Sequence, residues 1–131
     1  MSTERLVADV VVERLRAWGV PRVFGYSGDG NNAFMAALRR AGGDPEFIQA
    51  RHEENAAFMA VGHAKYTGGV GVMTSTQGPG AVHLLNGLYD AKLDHVPVCL
   101  LYTSPSPGPR SAAAPPRRRP ARGRAWRRTT R

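Results

Sequence analysis

Glu53 is an acidic side chain set where a short apolar run, Phe47-Ile48-Gln49-Ala50, gives way to a helical pattern. Beyond the next apolar run, Gly71-Val72-Met73-Thr74, comes a second polar and turn-forming cluster, Thr76-Gln77-Gly78-Pro79-Gly80, and then His83. A carboxylate at a strand-to-helix corner can hold or pass a proton. Burial raises its pKa and the helix amino terminus favours the anion, so the two effects oppose each other. Taken alone, Glu53 reads as a first-turn helix carboxylate.

Other candidate motifs point away from metals and nucleotides. His52, His63, His83 and His95 lack metal-ligand spacing, and His52-Glu53 is not continued into HExxH, so no metal site is expected. Gly25 to Gly30 reads GxxGxG rather than GxGxxG, and there is no GxxxxGK[ST], so neither a dinucleotide nor a P-loop site is supported. Gly28-Asp29-Gly30-Asn31-Asn32 reads as a turn followed by a helix cap.

The elements that must position these residues alternate along the chain. Ser2 or Thr3 can cap a helix reaching about Trp18, with Leu6, Val7, Val10, Val11, Leu15 and Trp18 on one stripe. Gly19 and Pro21 end it. Arg22 to Tyr26 is a strand, Ser27 to Gly30 a turn, and Asn31 or Asn32 opens a helix that stops at Gly42-Gly43. Phe47 to Ala50 is a second strand, followed by a helix over 54–67 with Ala57, Met59, Ala60 and Ala64 inward and Gly68-Gly69 as its stop. After the third strand at Gly71 to Thr74, Pro79 starts a helix with Val82, Leu84, Leu85, Leu88 and Tyr89 as its buried side, fraying near Asp94-His95. Val96 to Leu101 is the last strand, and Phe34, Met35, Phe58 and Met59 are expected in the core. Strands and helices alternating with short links predict an α/β fold, a mainly parallel sheet with helices on both faces. In such sheets ligands sit at the carboxyl ends of the strands, where Glu53 and the 76–80 segment fall.

Residues 1–102 read as one domain and 103–131 as a Pro/Arg-rich tail. The 131-residue chain carries a net charge of +8, but nine arginines and no acidic residue lie between Ser104 and Arg131, leaving nine Lys and Arg against ten Asp and Glu in residues 1–103, a net of −1. The basic excess therefore belongs to the tail, which holds six of the ten prolines and has no apolar period, so disorder is expected there. The tail is either a genuine basic segment or the product of a frame break in GC-rich DNA, and its start just inside a repeating βα pattern favours the frame break. A single cysteine, Cys99, excludes an internal disulfide framework and fits a reducing compartment. With no signal-peptide pattern and no apolar run of about 20 residues, a soluble cytoplasmic protein is expected.

RHEENAAFMAVGHAKYTG, followed by GVGV and TSTQGPGAVHLLNGLYDAKLDHVPV, resembles the amino-terminal, pyrimidine-binding domain of thiamine diphosphate-dependent enzymes, and is most similar to the pyruvate oxidase and acetolactate synthase branch. The likeness runs from about Glu4 to Leu101. It implies thiamine diphosphate as cofactor, with Glu53 as the glutamate that hydrogen-bonds the aminopyrimidine ring and promotes removal of the thiazolium proton. It implies that Tyr26 and Ser27 lie along the pyrimidine, where the family often has proline in place of Ser27, and that Thr76, Gly78, Pro79 and His83 wall its other side. Gln77 stands where the family usually has a smaller residue. With these blocks around it, Glu53 is read as the catalytic carboxylate.

In the family, magnesium and diphosphate are held by separated GDG and NN pieces in a carboxyl-terminal domain. A flavin occurs in a middle domain of some members, and the active site forms between subunits of a homo-oligomer. The resemblance thus implies the amino-terminal part of a 2-keto acid decarboxylating enzyme, cut off or frame-broken after Leu101, with the magnesium and flavin sites lying elsewhere in the parent and the isolated part inactive. Two alternatives are a nucleic-acid-binding module that clamps phosphates with its arginine tail and stacks Trp126 on a base, and a non-catalytic partner of a full-length relative.

Overall fold

The computed structural model describes residues 6–102. The expectations for Ser2, Thr3 and the 103–131 tail, including its disorder, its origin and its role as a nucleic-acid clamp, lie outside the described residues.

Ten short elements follow one another: α1 (Val7–Ala17), β1 (Arg22–Gly25), a 3-10 turn (Asp29–Asn31), α2 (Asn32–Arg40), β2 (Glu46–Gln49), α3 (Glu53–Thr67), β3 (Gly71–Ser75), α4 (Pro79–His83), α5 (Leu85–Leu93) and β4 (Val98–Tyr102). The four strands form one all-parallel sheet in the order β2-β1-β3-β4, with Phe24 opposite both Ile48 and Met73, and Met73 opposite Leu100. The fold is α/β, as expected. Successive strand residues point to opposite faces. Val23 and Val72 therefore join Val12, Leu15, Phe34, Ala37 and Leu38 under α1 and α2, while Phe24 and Met73 join Ala56, Ala57, Ala60 and Leu84 under α3 to α5. Each large side chain buried this way contributes about 1.5–3 kcal/mol, so both helix layers are needed to hold the sheet.

The helix faces match those expected only in part: Val11, Leu15, Ala57, Ala60, Ala64, Leu84 and Leu88 face the core, and others do not. In α1 the side chains that meet the core are Ala8, Val11, Val12 and Leu15, an i, i+3, i+4, i+7 set, whereas Leu6, Val7, Val10 and Trp18 are exposed. In α3 an alanine-rich stripe, Ala56, Ala57, Ala60, Val61 and Ala64, faces inward, leaving Phe58 and Met59 outside. Phe34 is buried and Met35 packs against the core as expected. The helix beginning at Pro79 divides at Leu84 into α4 and α5, and its inward side is Gly80, Leu84, Gly87 and Ala91, with Leu88 packed beside them. Val82, Leu85 and Tyr89 are exposed.

A single cause accounts for the second and third differences. The helices of this layer approach so closely that a Cβ on Gly87 would stand 2.4 Å from the Ala57 Cβ. Small residues therefore make the contact and the large apolar ones are displaced outward. Gly68, at φ 69°, caps α3 in the left-handed region, its N–H bonding the Ala64 carbonyl.

Candidate functional site

The chain passes from β1 to its neighbour β2 and then returns to the other side of β1 for β3, so the sheet order reverses between β1 and β3. Ligands of open parallel sheets sit outside the carboxyl ends of the strands at such a reversal. Tyr26 and Ser27 leave β1 there, Thr76 to Gly80 leave β3, and Glu53 opens α3 just after β2.

Each corner has a local cause. His52 caps α3 from extended backbone, its ring Nδ1 accepting a 3.2 Å hydrogen bond from the Glu54 N–H. Glu53 is thereby the first residue of the helix, where the dipole favours an anion. Gly78, at φ 72°, turns the chain after β3, and Pro79 starts α4 at the position where a missing N–H costs no helical bond. The turn after β1 is held by the buried Asn31, whose Oδ1 accepts from Gly28 N–H at 2.9 Å and whose Nδ2 donates to the Tyr26 carbonyl at 3.0 Å. The Gly28 to Asn32 stretch is therefore a turn and a helix start, as its spacing implied. Gly30 N–H donates to Thr76 Oγ1 at 3.1 Å, which ties the β1 and β3 corners together. Thr76 also pairs with the Gln77 side-chain oxygen at 2.9 Å.

Glu53 is buried, at 9% relative exposure, and faces the 78–83 segment. Its Oε2 lies 3.0 Å from His83 Nδ1. Its Oε1 lies where a Cβ on Gly80 would be 2.8 Å away, with Thr76 Cγ2 at 3.2 Å from the same point. Burial pushes the carboxyl pKa up. The His83 hydrogen bond, a backbone hydrogen bond and the positive charge available to His83 and His52 outweigh it, and the net pKa lies below the ordinary 4.5. The corner thus holds a mostly covered carboxylate that favours the anion, beside an exposed imidazole.

Of the residues expected at the site, Glu53, Thr76, Pro79 and His83 are brought together with Gly78 and Gly80 around one corner. Tyr26, partly exposed, lines an adjoining cleft of 550 Å³ with Gln49, Ala50 and Arg51. Ser27 follows it in the turn. Gln49, Arg51 and His52 were not among the residues expected at the site. The His52 ring stacks on that of His83, centroids 4.5 Å apart and planes 26° from parallel. The two histidines are far apart in sequence, and no local spacing signals that they meet.

Comparison with known proteins identifies a family. Residues 5–115 match the family described as "Thiamine pyrophosphate enzyme, N-terminal TPP binding domain". The chain is 48% identical over 104 residues to YdaP of Bacillus subtilis (strain 168), whose name describes a thiamine pyrophosphate-containing protein; the match covers 79% of this chain and 18% of that protein. It is 46% identical over 100 residues to the pyruvate oxidase of Lactiplantibacillus plantarum (strain ATCC BAA-793 / NCIMB 8826 / WCFS1), covering 76% of this chain and 17% of the oxidase. It is 47% identical over 91 residues to the acetolactate synthase isozyme 2 large subunit of Escherichia coli (strain K12), covering 70% and 16%. The chain thus spans less than a fifth of the length of each of these relatives. With a parallel-sheet fold, a buried carboxylate at the β2–α3 corner and a match over most of its length, the chain belongs to the thiamine pyrophosphate enzyme family, within its N-terminal TPP-binding domain.

Proposed function

We propose that this chain supplies the pyrimidine-facing half of a thiamine diphosphate site in a 2-keto acid decarboxylating enzyme of the pyruvate oxidase and acetolactate synthase type. The observation that carries the reading is the direction of Glu53, buried and turned towards Gly80 and His83 rather than towards bulk water. The residues present fit the group. The missing side chain at Gly80 leaves the space in front of Oε1 open, and a carboxylate that favours the anion stabilises the ring nitrogen in its protonated or imino N–H form, from which it then accepts a hydrogen bond.

When bound, thiamine diphosphate supplies the nucleophilic carbon and the electron sink for decarboxylation. Glu53 shares one proton with the ring nitrogen, donating when the proton is on its carboxyl and accepting when it is on the ring. His83 fixes the carboxylate's orientation through Oε2. Tyr26 and Ser27 line one side of the heterocycle, and Thr76, Gly78 and Pro79 the other. Magnesium and, in some relatives, a flavin belong to parts of the parent enzyme outside this chain, as does the second subunit of a homo-oligomer. The 131-residue chain on its own is expected to turn over no pyruvate.

Replacing the matching segment of the Lactiplantibacillus plantarum pyruvate oxidase by residues 6–102 tests the reading. The chimera is expected to consume pyruvate only with added thiamine diphosphate, and Glu53→Gln in it is expected to lower kcat by about 100-fold or more, the usual contribution of a positioned acid or base. A chimera whose activity survives Glu53→Gln overturns the assignment.

A further inference from the structure

His52, Glu53 and His83 each offer a ligand atom, and these atoms lie within 4.8 Å of one another. We propose that the three form a binding site for a divalent transition-metal ion of the zinc, nickel or copper class, separate from any magnesium held with a diphosphate. Two imidazoles and one carboxylate suit such ions, whereas magnesium demands an octahedral oxygen shell. Two ligands on one ion, at about 2.0–2.1 Å each, stand roughly 2.9–3.4 Å apart. The 3.0 Å between His83 Nδ1 and Glu53 Oε2 is already that distance. The ion takes the place of the proton shared by this pair, which moves to His83 Nε2 or leaves to solvent.

The third ligand sets a specific cost. The His52 and His83 rings stack with planes 26° from parallel, so the His52 ring must turn away from His83 before both can aim an in-plane nitrogen at one ion. His52 Nδ1 now accepts the Glu54 N–H at 3.2 Å, so in the neutral ring the proton is on Nε2. Ligation through Nε2 requires that proton to move to Nδ1, and ligation through Nδ1 uses the same lone pair as the cap. In both cases the Glu54 N–H loses its acceptor. The site and the helix cap therefore compete for one imidazole. His83, with its side chain 42% exposed, leaves the ion an open approach and room for water in the remaining positions.

This site stands on the side-chain cluster alone and does not require the cofactor reading. Residues 103–131 offer no competing ligand of these types, because they contain no His, Cys, Asp or Glu.

The test is a titration of the purified 131-residue chain with zinc followed by calorimetry, together with a cobalt titration followed by NMR. One zinc ion per chain is expected. His52→Asn and His83→Asn are each expected to weaken binding at least tenfold, while His63→Asn and His95→Asn leave it unchanged. Cobalt is expected to broaden the ring signals of His52 and His83 before those of His63 and His95, and zinc to shift the Glu54 amide. The NMR arm uses the unmutated chain, so it stands even if a variant fails to fold. Absence of zinc binding, equal broadening of all four histidines, or an unmoved Glu54 amide overturns the site. A chain that binds an aminopyrimidine at Glu53 yet takes up no zinc refutes the metal site and leaves the cofactor reading intact.

Discussion

At the scale of single residues, the site depends on Glu53 being both buried and anionic. Because its folded pKa lies below 4.5, the carboxylate contributes stability that is fully present above that value and is lost as pH falls through the folded pKa. Urea midpoints measured from neutral pH into acid are expected to show a gap between the unmutated chain and Glu53→Gln that closes as pH falls through the lowered folded pKa, below 4.5. A gap that stays constant across the range contradicts the anion. Gly80→Ala probes the space in front of the carboxylate. Its new Cβ would meet Glu53 Oε1 at 2.8 Å, but that atom ends a flexible side chain and can swing away, and alanine favours the helix by about 1 kcal/mol. The melting temperature is therefore expected to change by only a few degrees while the 3.0 Å contact of Glu53 with His83 is lost; retention of that contact in a structure of the variant counts against the cradle.

Much of this corner was legible in the sequence only because several motif blocks resemble a family together. Glu53 alone reads as an ordinary first-turn carboxylate, and nothing in the spacing of His52 or His83 shows that they flank it. That meeting is made by the β3 crossover, a long-range consequence of topology.

At the scale of elements, strand positions were readable to within about two residues, because short apolar runs bounded by glycine and proline leave few alternatives. Helix faces were readable only in part, with Val11, Leu15, Ala57, Ala60, Ala64 and Leu84 facing the core as expected. Reading large apolar residues as inward fails for Phe58 and Met59 in α3 and for Val82, Leu85 and Tyr89 in α4 and α5, where alanines and glycines make the contact. Two glycine substitutions in this layer separate local preference from packing. Gly62 in α3 has nothing within 4 Å of a new Cβ, so Gly62→Ala is expected to stabilise by about 0.5–1 kcal/mol. Gly87 in α5 would meet the Ala57 Cβ at 2.4 Å and its backbone carbon at 3.0 Å, and backbone cannot rotate aside. Gly87→Ala is expected to destabilise by about 1–3 kcal/mol despite the same helical gain. Urea denaturation of the two variants decides it, and equal effects would contradict the close crossing of α3 and α5.

At the scale of the whole molecule, the chain folds around two helix layers but leaves a large apolar surface uncovered. Phe58, Met59 and Tyr66 on α3, and Val82, Leu85, Tyr89 and Leu93 on α4 and α5, are exposed, and β2 and β4 are the outer strands of the sheet among the described residues. Surfaces of this kind drive association. Light scattering of the purified chain is expected to give a mass above that of the 14.2 kDa monomer. A monodisperse monomer would contradict the account of this face. No helix among the described residues is long and apolar enough to cross a membrane.

The central claim is that Glu53 and the Gly78 to His83 corner together grip a flat aminopyrimidine. Titrating the isotopically labelled chain with 4-amino-5-hydroxymethyl-2-methylpyrimidine, the heterocycle without its diphosphate, tests that grip by NMR in the absence of magnesium and substrate. The account predicts shifts concentrated at Tyr26, Glu53, Thr76, Gly80 and His83, abolished by Glu53→Gln in a chain whose other signals stay in place. Shifts that are absent, scattered over the apolar outer face, or unchanged by Glu53→Gln would contradict it.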